Sequence, residues 1–185
     1  MYKDFLQTLR VSLVTNIVLV GVPGAGKSTV GKLLAADLDR KFYDSDQEIE
    51  TRMGKSVSDI FTGDGEAKFR EVEAIVIAEL LAQNKVVVSL GGGSLLNDAT
   101  RELVKQHNVM WLVVNLAGAV SRVGLNRNRP LLLGNVRGQL ADLMQAREPL
   151  YREVASHKVD TSEMSASQVV AAIITLVNED DHDND

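Results

Sequence analysis

Short apolar runs rich in valine and isoleucine alternate along this chain with longer segments whose apolar positions recur every three to four residues. The short runs predict strands at Asn16–Val20, Lys41–Asp44, Val86–Leu90, Val109–Asn115 and Lys158–Asp160. The longer segments predict helices at Lys27–Leu38, Asp46–Met53, Val57–Phe61, Glu66–Gln83, Asp98–Gln106, Leu116–Val123, Arg137–Ala155 and Ser165–Val177. Strands that are apolar throughout and joined by helices indicate a parallel sheet covered on both faces. The expected fold is therefore a three-layer α/β/α sandwich around a central five-stranded parallel sheet, in one domain spanning residues 1–185. Ligands of such sheets gather at the carboxyl ends of the strands, and the motifs below fall at predicted strand ends.

The strongest motif is Gly21-Val22-Pro23-Gly24-Ala25-Gly26-Lys27-Ser28, directly after the strand NIVLV and before the helix KSTVGKLLAADL. It matches the P-loop pattern G-x-x-x-x-G-K-[ST]. Glycines let the loop wrap phosphate with backbone N–H groups, and the helix N-terminus adds partial positive charge. A chance match in a chain of this length has odds below about 1% at ordinary residue frequencies. Lys27 is expected to reach the β/γ-phosphates of ATP, and the Ser28 hydroxyl to bind Mg²⁺.

A P-loop needs a carboxylate for the metal, and FYDSD supplies Asp44 and Asp46 at the end of the second strand. Spaced two apart, they can point the same way. One can hold Mg²⁺ through water while the other receives or orients a substrate hydroxyl. The plainer alternative is that Asp46 caps the helix that follows.

Glu66, Arg70 and Glu73 share one helix face. They form either a solvated salt-bridge stripe, worth about 0.5 kcal/mol per pair, or an arginine held by carboxylates to bind another carboxylate. Gly91-Gly92-Gly93 ends the strand VVVSL. Three successive glycines are costly to order and suit close approach of the backbone to a ligand better than a plain turn. From Ser121 to Arg137 the chain reads SRVGLNRNRPLLLGNVR, which suggests a mobile lid at about 124–136 that closes over phosphate. Arg147, in AREPLYREVA, is open between a helix-surface charge and a ligand group.

Taken in order, GVPGAGKSTVGKLLA, FYDSDQEIE, the GEAKFREVE run, SLGGG, NRNRPLL and REPLYREVA resemble the shikimate kinase family from about Asn16 to Val177. The resemblance implies a P-loop NTPase fold of the nucleoside-monophosphate-kinase type, and transfer of the γ-phosphate of ATP to the 3-hydroxyl of shikimate in aromatic amino-acid biosynthesis. It assigns nucleotide binding to Gly24, Ala25, Gly26, Lys27, Ser28, Thr29, Arg122 and Arg129, with Arg122 stacking on adenine. Ser28 and Asp44 serve Mg²⁺. Asp46 contacts the attacking hydroxyl as base or orienting group, and Lys27 and Arg129 stabilise the transferring phosphoryl group. Arg70 and Arg147 bind the shikimate carboxylate, Glu73 holds Arg70, and Gly91, Gly92 and Gly93 contact the ring hydroxyls.

Composition narrows the setting. Hydrophobic residues at 45% and charged residues at 24% suit a soluble globular protein. A net charge of −5 argues against non-specific nucleic-acid binding. The absence of cysteine excludes disulfides and thiolate metal sites. The segment at 1–15 lacks the apolar run of a signal peptide, and no stretch is long enough to span a membrane. A cytoplasmic enzyme is expected, monomeric because no heptad seam is legible, with an acidic disordered tail at 179–185.

Two other functions fit the P-loop. Another small kinase, acting on gluconate or a nucleoside monophosphate, would share the donor site, although two arginines and a glycine turn suit a compact hydroxylated carboxylate better than a nucleobase. A catalytically retired nucleotide-binding module should have lost Asp46, Arg70 or Arg129, and all three are present.

Overall fold

The computed structural model describes residues 15–124 and 135–182. Its five strands are β1 (Ile17–Val20), β2 (Lys41–Asp44), β3 (Val86–Ser89), β4 (Asn108–Val113) and β5 (His157–Asp160). They form one parallel sheet in the order β2-β3-β1-β4-β5. The first strand is thus central, and Ile17, Val18, Leu19 and Val20 are all buried because helices cover it from both sides. Edge strand β2 is less apolar and more exposed, as the position requires.

The helices are α1 (Lys27–Asp37), α2 (Ser45–Met53), α3 (Val57–Gly63), α4 (Glu66–Leu81), α5 (Asp98–Val104), α6 (Leu116–Gly124), α7 (Val136–Val154) and α8 (Ala166–His182). Helices α1 and α8 pack on each other, and α4, α5 and α7 form a second group that contacts β3 and β4. The main core runs through Leu34, Ile77, Leu112, Leu140 and Ile173, all fully buried. The expected layering is therefore present.

One alternative of the sequence reading fails and one expectation changes. Asp44, not Asp46, caps α2: its carboxylate accepts from the Asp46 backbone N–H at 3.2 Å. A residue in the first helical turn, where Asp46 stands, has helical φ/ψ and cannot serve as the extended cap. Helix α8 also continues to His182, so residues 179–182 of the expected disordered tail are helical. Adding a residue to a formed helix is far easier than nucleating one. Residues 125–134, which include Arg129 and most of the lid expected at about 124–136, the segment 1–14 and residues 183–185 lie outside the described residues.

Candidate active site

The phosphate cradle is set by backbone geometry. Gly24 and Gly26 have φ of 84° and 91°, a region that side chains penalise. Gly26 is the N-cap of α1 and has no side chain with which to cap it. Such a terminus is an anion site. Lys27 folds back onto its own loop, its Nζ donating to the Gly21 carbonyl at 2.7 Å and to that of Val22 at 3.2 Å.

Beside the cradle, the Ser28 hydroxyl donates to Asp44 Oδ2 at 2.6 Å. The two groups come from α1 and the end of β2, which their sequence separation alone does not bring together. A hydroxyl and a carboxylate are hard oxygen donors, the set a Mg²⁺ ion takes when phosphate and water complete its shell. These two residues fit that ion.

Asp46, Arg70 and Glu73, three residues expected on the acceptor side, converge on the triple glycine. None of the three glycines has positive φ, so left-handed backbone does not explain them. A Cβ on Gly91 would collide with Asp46 Oδ1 and lie 3.3 Å from Glu73 Oε1. One on Gly93 would lie 2.5–2.8 Å from the guanidinium of Arg70. These glycines make room for the protein's own functional side chains. Among the described residues a Cβ on Gly92 would meet only Pro23, at 3.6 Å, which places the glycine turn against the P-loop.

Arg70 is held as the stripe on α4 suggested. Its NH1 donates to Glu73 Oε2 at 2.7 Å, and Nε and NH2 donate to Glu66 Oε1 at 3.3 and 3.2 Å. The guanidinium also lies 5.2 Å from the Phe69 ring centroid. Burial lowers its proton affinity, but hydrogen bonds and charge from Glu73 and then Glu66 outweigh this, and its pKa is raised. The arginine stays a fixed cation.

Arg147 lies on α7 with its NH1 buried and without a hydrogen-bond partner among the described residues. One turn on, the Tyr151 hydroxyl donates to the Gly92 carbonyl at 3.3 Å. This contact ties the helix carrying Arg147 to the glycine turn. Arg122, on α6, donates to the Gly24 carbonyl at 3.3 Å and to Thr161 Oγ1 and O at 3.1 and 2.9 Å.

Four residues escaped the sequence reading. Buried Ser45 accepts from the Gly91 N–H at 2.9 Å, and buried Ser94 donates to Glu73 Oε1 at 2.7 Å. Thr161 donates to the Ala25 carbonyl at 3.3 Å, and Tyr151 anchors α7. Each is a single polar residue beside a recognised motif or at a strand end. Their adjacency was the only available signal.

A P-loop at the carboxyl end of the central strand, a metal-suited oxygen pair and a glycine turn packed against Asp46 and Arg70 fit a P-loop kinase for small molecules. The model of the shikimate kinase family matches residues 23–178. The chain belongs to the shikimate kinase family. It is 49% identical over 156 residues to a shikimate kinase of Thermobifida fusca, covering 84% of this chain and 91% of that one. The solved shikimate kinase of Acinetobacter baumannii in complex with shikimate is 38% identical, with a TM-score of 0.88 over 94% of this chain and 98% of that one. A gluconokinase from Sinorhizobium meliloti, at 20% identity and a TM-score of 0.59, shares the fold alone.

Proposed function

We propose that this protein transfers the γ-phosphate of ATP to the 3-hydroxyl of shikimate, giving shikimate 3-phosphate and ADP. The observation that carries the acceptor is the convergence of Asp46, Arg70 and Glu73 on Gly91–Gly93, which abut the P-loop at Pro23. A hydroxylated carboxylate can lay its carboxylate on Arg70 and Arg147 and turn a hydroxyl toward Asp46. The NH1 of Arg147, buried and without a partner among the described residues, supports that role, since a buried donor without a partner is costly until a ligand pairs with it.

In this reading the P-loop N–H groups and Lys27 hold the phosphates, Lys27 exchanging the loop carbonyls for phosphate oxygens. Ser28 and Asp44 hold Mg²⁺, which supplies charge neutralisation when bound. Asp46 accepts or orients the hydroxyl proton, the hydroxyl oxygen bonds to the γ-phosphorus, and the bond to the β–γ bridging oxygen breaks as ADP leaves. Arg122, its guanidinium edge fixed by Gly24 and Thr161, presents a flat face to adenine. Arg129 belongs to the lid and offsets charge on the transferring group. Catalysis rests on positioning and electrostatics. In this reading the enzyme acts in the cytoplasm as a monomer.

ADP release measured with shikimate, gluconate and nucleoside monophosphates tests the assignment, and no turnover with shikimate would refute it. Asp46→Asn should abolish turnover while ATP still binds.

A further inference from the structure

We infer that Ser94 is a positioning residue that sets substrate affinity through Glu73 and Arg70; this rests on the proposed role of Arg70 as carboxylate anchor. Ser94 is 1% exposed and Glu73 3% exposed. A carboxylate at that depth needs donors for both oxygens, because burying a charge without partners is costly. Arg70 supplies one, to Oε2 at 2.7 Å, and Ser94 the other, to Oε1 at 2.7 Å.

The two contacts differ in what they fix. The terminal torsion of a glutamate is broad and weakly held by its own sterics. With only the Arg70 contact, Glu73 can rotate and take the arginine with it. With Ser94 gripping Oε1, the position of Oε2 is set, and Oε2 in turn sets NH1 of Arg70. Glu66 cannot substitute, since its side chain is 61% exposed and exposed ion pairs are weak. Glu73 is therefore the rigid partner, and Ser94 is what makes it rigid.

Ser94 is also well placed for this task. Its backbone N–H closes the glycine turn on the Gly91 carbonyl at 3.1 Å. The turn that accommodates Asp46 at Gly91 and Arg70 at Gly93 thus also carries the group that orients Glu73. Capping does not account for the hydroxyl. The 3₁₀ turn Ser94–Leu96 has Gly93 as its N-cap with no side-chain bond, and Asn97 caps α5. One rigid turn registers the hydroxyl-activating carboxylate and the carboxylate anchor to each other.

The test is steady-state kinetics on the full chain for Ser94→Ala, Ser94→Thr, Glu73→Gln, the double variant Glu73→Gln/Ser94→Ala, and Arg70→Lys. Ser94→Ala should raise KM for shikimate about tenfold, the worth of one hydrogen bond to a charged group. Its kcat and its KM for ATP should stay within about twofold, and Ser94→Thr, which keeps the hydroxyl, should recover most of the loss. In the Glu73→Gln background the Ser94→Ala effect should largely vanish, as expected of residues acting as a unit. A shikimate KM unchanged in Ser94→Ala, with Arg70→Lys raising it, overturns the role of Ser94 alone. An unchanged KM in Arg70→Lys overturns the anchor and this inference together. Equal losses in KM for both substrates and in melting temperature for Ser94→Ala, unrelieved by Ser94→Thr, would mark a packing residue and also overturn it.

Discussion

The Ser28 hydroxyl and the Asp44 carboxylate meet at 2.6 Å, although one opens the helix after the P-loop and the other ends an edge strand. Parallel pairing makes the contact. Strand β3 lies between β1 and β2, and their carboxyl ends finish at the same level of the sheet, where the loops can touch.

Asp44 has two tasks that substitution can separate. Its Oδ2 takes the Ser28 hydroxyl while its Oδ1 caps α2. Asp44→Asn keeps a capping oxygen but loses the charge, whereas Asp44→Ala loses both. Both variants should need more Mg²⁺ for half-maximal turnover. Only Asp44→Ala should also lose about 1 kcal/mol of stability, roughly 2–4 °C in melting temperature for a chain of this size. Mg²⁺ titrations and thermal unfolding check the two tasks separately.

Adjacent glycines should respond differently to a methyl group. Gly93 has an ordinary φ of −105°, so Gly93→Ala should fold, but its methyl occupies the place of the Arg70 guanidinium. Its shikimate KM should rise at least about tenfold, the loss of a charged hydrogen bond. At Gly92 the methyl meets Pro23 at ordinary contact distance, and the rise should be smaller. Kinetics of the two variants side by side decide this.

Tyr151 should leave a mark on alkaline stability. Burial raises its pKa from 10.0 to about 12, opposed in part by the charge of Arg147. The folded pKa lies above the unfolded one, so the contribution is complete below pH 10 and is lost as pH rises toward 12. Between those values the unfolded chain has released a proton that the folded chain keeps. The slope there approaches about 1.4 kcal/mol per pH unit. Tyr151→Phe should remove this component, read as a flatter difference in melting temperature between pH 9 and pH 11.

Thr161 should serve the nucleotide and not the acceptor. Its hydroxyl donates to Ala25 and accepts from Arg122, which itself holds Gly24. Thr161→Val leaves the buried Ala25 carbonyl and part of the arginine short of partners, at a cost of about 1–3 kcal/mol. KM for ATP should rise several-fold with shikimate KM unchanged, and Thr161→Ser should restore it. A change in shikimate KM of the same size would count against this division.

The sole tryptophan, Trp111, should report on acceptor binding. Its ring lies 5.9 Å from that of Tyr151, on the helix that carries Arg147, and Lys158 stands 4.9 Å from it. If shikimate draws Arg147 in, the surroundings of Trp111 change and its emission should shift on addition of shikimate without nucleotide. Arg147→Ala should abolish the shift.

The sequence alone determined what rests on local pattern. The apolar runs of β1, β3 and β4 and the helices between the strands were legible because burial on both faces of a sheet, or along one face of a helix, imposes a pattern on neighbouring residues. The P-loop was legible because its glycines, lysine and serine are contiguous, and the Glu66–Arg70–Glu73 stripe because one helix presents it. Only the tertiary structure decided that β1 is central, that Asp44 caps α2 and meets Ser28, and that Gly91 and Gly93 are bare to admit Asp46 and Arg70. It alone brought Ser94 to Glu73, Tyr151 to Gly92 and Thr161 to Ala25, pairs separated by 21, 59 and 136 residues. No period in a sequence records such contacts. They follow from the order in which strands pair and helices pack, and that order is settled by the whole core at once.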